Sequence, residues 1–331
     1  MKPQLYVAFG GQTTEHEVSI KSGYNILTNA SRDKYGVFGF YISRVGEFLI
    51  FEMPENMLFE DFVNLLNNSK PKPQIQALAE DFKDTNNKII FPIIHGQTGE
   101  DGKLQGFFDI LGVPYVGSSV TASAVGMDKA VMRLVAKSLN IPMARDYSEN
   151  LDNIEFPVFV KPRNGGSSVG ASRAENKEEL EKAISLAKQY DSKVLVEQLI
   201  VGREIEVCVL GSGSDLLLGA GEFARNPSFF DYHAKYLDES LKMQIPAIVP
   251  DSDMKIMEDY AVQVFNSIGA SVLSRVDFFY TDKGEIYFNE INTLPGYTSM
   301  SMFPSLCEKM HKISQTELID RLVELALEKN V

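Results

Sequence analysis

Hydrophobic and polar positions along the chain follow two rhythms. In the first third, apolar runs at 5–9, 38–42 and 88–94 read as strands, and the periodic segment 18–27 reads as a helix. A further run, 113–116, leads to Gly117. This strand–helix alternation predicts a small parallel sheet with helices on its faces. Two runs end at Gly10-Gly11 and His95-Gly96. Ligands of such open sheets lie beyond the carboxyl ends of the strands.

After Gly117 the rhythm changes. Residues 123–139 read as one helix and 156–161 as a strand, followed by the glycine-rich RNGGSSVG. A strand resumes at 171–173. Asn176 caps the next helix, Glu179 completes a capping box, and Leu180, Ala183, Ile184 and Ala187 mark the apolar face. Residues 194–198 form another strand. From about Glu204 period-two patterning dominates: EIEVCVL and LLLGAGEF are strands, and the polar loop ARNPSFFDYHAKYLDES follows. A helix at 253–268, a hairpin of 272–280 with 285–292, and a helix at 316–329 close the chain. These patterns divide it into three units near 1–117, 118–197 and 198–331. The expected class is α/β for the first unit and α+β for the other two.

Composition narrows the possibilities. The 331 residues are 44% hydrophobic and 23% charged, as in an ordinary globular protein. No apolar run approaches a membrane span, and MKPQLYVAFGG lacks the features of a signal peptide. Only Cys208 and Cys307 are present, too few for a disulfide framework, which fits a reducing cytoplasm. A formal net charge of −13 argues against a general nucleic-acid binder and leaves room for a local phosphate pocket. The expectation is a cytoplasmic protein with neither a nucleic-acid nor a membrane partner.

Candidate chemistry concentrates in two places. TDKG, 281–284, is a turn signal between strands. Symmetric closure there pairs Tyr280 with Glu285, Asp277 with Phe288 and Arg275 with Glu290. Arg275, Asp277, Glu290 and Asn292 then share one face with Phe279, Ile286 and Phe288, and Asp277 is a diagonal neighbour of Glu290. Val276, Phe278, Tyr287 and Ile291 take the other face. Three oxygen-bearing side chains on a largely apolar face suit a hard cation such as Mg²⁺. Neutralisation of the acids by Arg275 in a structural network is the competing reading.

KPRNGGSSVG, 161–170, is the second place. Gly165, Gly166 and Gly170 let backbone amides turn toward an anion beside serine hydroxyls. No Gly-Lys-Ser/Thr follows, so this is not a Walker A loop, and an ordinary hairpin turn is the alternative. Lys161 can aim at a phosphate from the strand; Lys129, on the preceding helix, is a second candidate, although a surface helix lysine is its simpler local reading. Glu197 ends an apolar strand, where an acid can reach a ribose or, through its neighbours' backbone, an adenine; Glu204 follows closely. Surface carboxylates are the simpler local reading of both.

Taken in order, these segments resemble the D-alanine–D-alanine ligases of the ATP-grasp superfamily. The carriers are FGGQTTEHEVSIKSG (9–23), HGQTGEDGKLQG (95–106), GSSVTASAVGMDK (117–129) and FVKPRNGGSSVG (159–170). VGREIEV (201–207), FFDYHAKY (229–236), RVDFF (275–279) and NEINTLPGYTSMSMFP (289–304) complete the set. The resemblance implies a Rossmann-like parallel-sheet domain at 1–117, then an ATP-grasp fold of two α+β subdomains, 118–197 and 198–331. It implies a ligase that joins two D-alanines at the expense of ATP through a D-alanyl phosphate, supplying peptidoglycan synthesis.

Roles follow by position. Lys129, Lys161, Gly166, Ser168 and Lys235 would contact ATP phosphates. Glu197, Gln198 and Ile200 would reach adenine, Glu204 the ribose, and Phe229 and Phe279 the nucleotide. Asp277, Glu290 and Asn292 would hold two Mg²⁺ ions, with Mn²⁺ as a substitute. Glu15 would bind the first D-alanine's ammonium in a triad with Ser167 and Tyr236, the latter on a closing loop. Arg275 and the Gly296 amide would stabilise the oxyanion, Ser301 and Met302 would hold the second carboxylate, and His95 would line the pocket. A homodimer is common among such relatives. Departures from the usual pattern are His16 for arginine, Gln97 for proline and Phe230 for tyrosine. A D-alanine–D-lactate ligase and a non-catalytic ATP-binding regulator are the alternatives. Retention of Tyr236 favours the dipeptide over the first, and retention of the metal and lid residues favours an enzyme over the second.

Overall fold

The computed structural model describes residues 2–224 and 242–329. Three sheets organise these residues. The first has the order β3-β2-β1-β4, from β1 (Gln4–Gly10), β2 (Gly36–Ile42), β3 (Phe48–Glu52) and β4 (Lys88–Pro92). β1 runs parallel to both β2 and β4. The pattern implies a parallel sheet, but β3 makes it mixed. β3 turns back along β2 through a tight turn in which the Gly46 N–H donates to the Ser43 carbonyl at 3.0 Å. The run at 113–116 adds only a single bridge, Tyr115 to Ile90. Helix α1 (His16–Asn29) extends the expected 18–27 at both ends. Helices α2 (Phe59–Asn68), α3 (Gln74–Asp81) and α4 (Lys103–Leu111) fill segments the pattern left unassigned.

The long helix expected at 123–139 is two helices, α5 (Val120–Met127) and α6 (Lys129–Ser138). Asp128 breaks it with extended backbone (φ −83°, ψ 98°), and its side chain accepts the N–H groups of Ala130 and Val131. Aspartate favours such an N-cap over a helix interior because its carboxylate competes for backbone donors. The break makes Lys129 the first residue of a helix.

The second sheet is antiparallel, order β6-β5-β7, from β5 (Val158–Pro162), β6 (Ser172–Ala174) and β7 (Val194–Gln198). Helix α7 (Lys177–Ala187) is capped by Asn176 as expected, its Oδ1 accepting the Glu179 N–H at 3.0 Å. The reciprocal arm differs: the Glu179 carboxylate takes the N–H of Glu175, one residue earlier than a capping box requires.

The third sheet has the order β10-β9-β8-β11-β12, from β8 (Arg203–Ser212), β9 (Asp215–Ala224), β10 (Lys242–Gln244), β11 (Val272–Tyr280) and β12 (Ile286–Asn292). Helix α8 (Asp251–Ser267) covers one face, where Ile205, Val207, Val276 and Phe278 pack with Met257, Val264 and Phe265. Each such fully buried side chain contributes about 1.5–3 kcal/mol. Helices α9 (Met302–His311) and α10 (Gln315–Lys329) follow the hairpin; the sequence pattern assigns only the second. Phe9, Cys208, Leu273, Phe303 and Leu318 belong to one buried cluster, so the first sheet and the last two helices share a core.

The hairpin register departs from symmetric closure. Arg275 pairs with Asn292, Asp277 with Glu290, Phe278 with Phe288 and Tyr280 with Ile286. Two shifts produce this. The Thr281 N–H donates to the Glu285 carbonyl at 3.0 Å, which sets Tyr280 against Ile286 instead of Glu285, and a bulge leaves Asn289 without an opposite residue. An extra residue reverses the alternation beyond it. Phe288 therefore joins the core under α8 with Ile286 against it, and Tyr287 stands opposite Phe279. The four polar residues keep their shared face.

Candidate functional site

Three strands set a row of acids on the face away from α8. Glu206 on β8 is opposite Asp277 on β11, and Asp277 is opposite Glu290 on β12. Asp277 is fully buried. Arg275 grips it bidentately, Nε to Oδ1 and Nη2 to Oδ2 at 2.8 Å each, and Asn292 Nδ2 donates to Oδ2 at 3.0 Å. The arginine network and the oxygen-donor set, read from sequence as alternatives, are thus made by the same residues. Among the described residues no three His, Cys, Asp or Glu side chains converge as a metal site. Here two carboxylates face each other across a strand pair with an amide oxygen beside them, a donor set that fits a hard divalent cation.

Lys129 approaches from α6. Its Nζ lies 3.1 Å from Glu290 Oε2 and also donates to the Gly165 carbonyl. With only 12% of its side chain exposed, it is not a surface lysine. Asp128 fixes it: the Arg163 fork holds both Asp128 oxygens at 2.6 Å while Asp128 caps α6. Burial pushes the Asp128 carboxyl up, but Arg163 and the two backbone N–H groups outweigh it and hold the group below the usual range.

The glycine-rich stretch joins this acid row to the first sheet. It turns at Gly166, whose carbonyl accepts the Val169 N–H at 3.2 Å. Ser167 and Ser168 both adopt left-handed backbone, at φ +53° and +57°. Such conformations cost energy for residues with a Cβ and cluster at functional sites. The turn brings Ser167 Oγ to donate to Glu15 Oε1. Glu15 is 5% exposed. Gly96, at φ +75°, leaves it room, since a Cβ there would lie 2.7 Å from Glu15 Oε2. A cleft lined by Glu100, Lys129, Gly165, Gly166, Glu290 and Asn292 connects the two halves.

His95 is buried, its Nε2 3.1 Å from Ser22 Oγ and its Nδ1 3.6 Å from Glu100 Oε1. Ser22 Oγ also accepts the Tyr297 N–H at 3.4 Å, tying His95 to the loop that carries Gly296 and Ser301. Ser301 precedes α9 and accepts the Thr298 N–H at 2.8 Å. Gly296 abuts it, for a Cβ there would lie 2.9 Å from Ser301 Oγ. The Met302 side chain is buried in the shared core, so only its backbone can face a ligand.

Lys161 pairs with Glu197 at 2.7 Å, and Arg133 Nη1 holds the same carboxylate at 2.6 Å. Glu197 is therefore buried between two cations and is not a surface acid. Gln198 ends β7 with its N–H on the Arg145 carbonyl at 2.8 Å, and Ile200 follows, half-buried. Glu204 lies opposite Phe279 on the acid face. Among the departures, His16 is buried at the end of β1 with Nδ1 2.6 Å from the Gly11 carbonyl, and Gln97 reaches the Asn164 carbonyl beside the glycine turn at 3.2 Å. Phe229, Phe230, Lys235 and Tyr236 lie outside the described residues.

Three site residues escaped the pattern. Glu206 is two positions from Glu204, so strand alternation puts both on one face. Arg133 is one helical turn beyond Lys129. Glu100 lies within HGQTGEDG, and burial, reinforced by nearby Glu15, pushes its carboxyl up despite His95.

Known proteins resemble this chain over nearly its whole length. The family described as D-ala D-ala ligase N-terminus matches residues 4–118, and D-ala D-ala ligase C-terminus matches 117–324. A D-alanine–D-alanine ligase of Acetivibrio thermocellus is 39% identical, covering 99% of this chain and 96% of its own. One from Streptococcus pneumoniae is 40% identical, covering 99% and 97%. The solved D-Ala:D-Ser ligase of Enterococcus faecalis superposes with a TM-score of 0.81 at 31% identity over 98% of this chain and 100% of that one. The D-alanine-D-alanine ligase of Coxiella burnetii gives 0.78 at 29% identity over 99% and 96%. With both family halves matched in order and the chain nearly covered, this protein belongs to the D-alanine–D-alanine ligase family.

Proposed function

We propose that the chain joins two D-alanine molecules into D-alanyl-D-alanine with ATP, as a step of peptidoglycan synthesis. One observation carries this: the glycine turn touches Glu15 through Ser167 and, through Lys129, the acid hairpin at Glu290. A carboxylate suited to an ammonium and a cradle suited to a triphosphate thus flank one glycine turn.

The first D-alanine places its ammonium on Glu15, held by Ser167. Its carboxylate oxygen attacks the terminal phosphorus of ATP, ADP departs, and an acyl phosphate results. Lys129 and Lys161 neutralise phosphate charge during this transfer. Asp277, Glu290 and Asn292 are the residues to hold Mg²⁺, or Mn²⁺ in its place, which when bound spreads the charge of the transferring phosphoryl group. The second D-alanine, its carboxylate at Ser301, attacks the acyl carbon with its amine and expels phosphate. Arg275 and the Gly296 N–H face the oxyanion of that step. Tyr236, Lys235 and Phe229 belong to the same proposal as lid residues, with Phe279 and Glu204 on the nucleotide. A homodimer and a cytoplasmic location complete it.

Purified protein supplied with ATP, Mg²⁺ and D-alanine is expected to release phosphate and form the dipeptide. D-lactate and D-serine, added as competing acceptors near neutral pH, should be used less well. Preference for either refutes the dipeptide assignment, and nucleotide binding without turnover makes the chain a regulator.

A further inference from the structure

Glu206 is the most buried carboxylate among the described residues to which the reaction above gives no role. It is 2% exposed and directly opposite Asp277. Its Oε2 lies 3.2 Å from Arg275 Nε yet accepts no hydrogen bond. The reason is directional: the Arg275 fork points at Asp277, with both bonds 2.8 Å long. A planar guanidinium binds one carboxylate bidentately and meets a second only through charge. A buried carboxylate oxygen without a donor is costly, and one that persists calls for an explanation.

We infer that Glu206 is a positioning residue that receives Arg275 when Asp277 turns its oxygens to a divalent cation. This rests on the proposed metal role of Asp277. Arg275 and Asn292 direct three donors at the two Asp277 oxygens. A divalent cation at Asp277 competes with these donors for the same two oxygens. A guanidinium and a divalent ion also repel each other across a shared carboxylate. Moving the fork toward Glu206 supplies the orphaned Oε2, keeps a buried arginine paired and separates the two cations. It also holds Arg275 on the sheet face where the oxyanion forms. Without Glu206, the guanidinium stays on Asp277 and competes with the ion. Glu206 touches neither metal nor substrate and acts through Arg275 alone.

Mn²⁺ titrations followed by electron paramagnetic resonance, with a non-hydrolysable ATP analogue present, test this. Absence of binding to the parent protein sinks the metal site itself and this inference with it. Given parent binding, Glu206→Gln is expected to weaken Mn²⁺ about fivefold or more, equivalent to about 1 kcal/mol of coupling. In an Arg275→Met background the same change should alter Mn²⁺ affinity less than about twofold, because no guanidinium remains to be placed. Unchanged affinity in Glu206→Gln, or a weakening that persists without Arg275, overturns the inference and leaves the metal site standing. Should Glu206→Gln fail to fold, Arg275→Met alone decides: tighter Mn²⁺ binding is expected, and equal or weaker binding overturns the inference.

Discussion

Lys129 Nζ stands 3.1 Å from Glu290 Oε2, so the first residue of a helix neutralises an acid on the last hairpin. Glu290→Gln keeps the shape and removes the charge. We expect turnover to fall at least about 100-fold, the equivalent of about 2.7 kcal/mol of transition-state stabilisation. The folded state should be little changed. Phosphate release and a thermal melt measure the two separately, and near-parental turnover would refute the role.

Ser167 donates to Glu15 from the glycine turn. A hydrogen bond to a charged group contributes about 1.5–3 kcal/mol. Ser167→Ala should raise the KM for the first D-alanine roughly 10- to 100-fold and leave nucleotide affinity close to the parent's. Gly96→Ala should act on the same step, because a Cβ there pushes on Glu15 Oε2. Equal losses of nucleotide affinity in both variants would contradict this assignment.

Burial raises the Glu100 carboxyl above its ordinary 4.5, with Glu15 adding repulsion and His95 opposing. The folded state therefore holds this proton more tightly than the unfolded chain does. The associated stability is present below 4.5 and is lost as pH rises through the folded value. Glu100→Gln should match the parent in acid and melt higher at neutral pH. Melting points between pH 4 and pH 8 check the sign; a variant less stable at neutral pH disproves it.

Asp128 behaves in the opposite way. Although burial opposes ionisation, Arg163 and two backbone N–H groups hold its carboxyl below the ordinary 3.8. Its stabilisation is present above 3.8 and is lost as pH falls through the folded value. Asp128→Ala removes both a helix cap and a bidentate pair, a loss of about 1–3 kcal/mol at neutral pH. Denaturant midpoints should show that deficit from pH 5 to 8 and a smaller one below about 3.8. Because Asp128 sets the start of α6, turnover should fall as Lys129 loses its position.

The sequence by itself determined the strands β7 and β11, the cap at Asn176, the acids of the hairpin and the glycine-rich turn. These are local matters. Side-chain alternation, turn residues and caps act over a few positions, and the ordered motifs carried the family with them. Tertiary structure decided the rest. The turn closure and the bulge at Asn289 together moved Phe288 into the core and set Asp277 squarely against Glu290. Lys129, Glu197 and Glu206, which a linear reading leaves on surfaces or passes over, stand beside partners from distant elements, the two glutamates buried and Lys129 half-buried. No periodicity announces this. The energy of a charge depends on what the fold brings within a few ångströms of it, and that neighbourhood exists only once the sheets have packed.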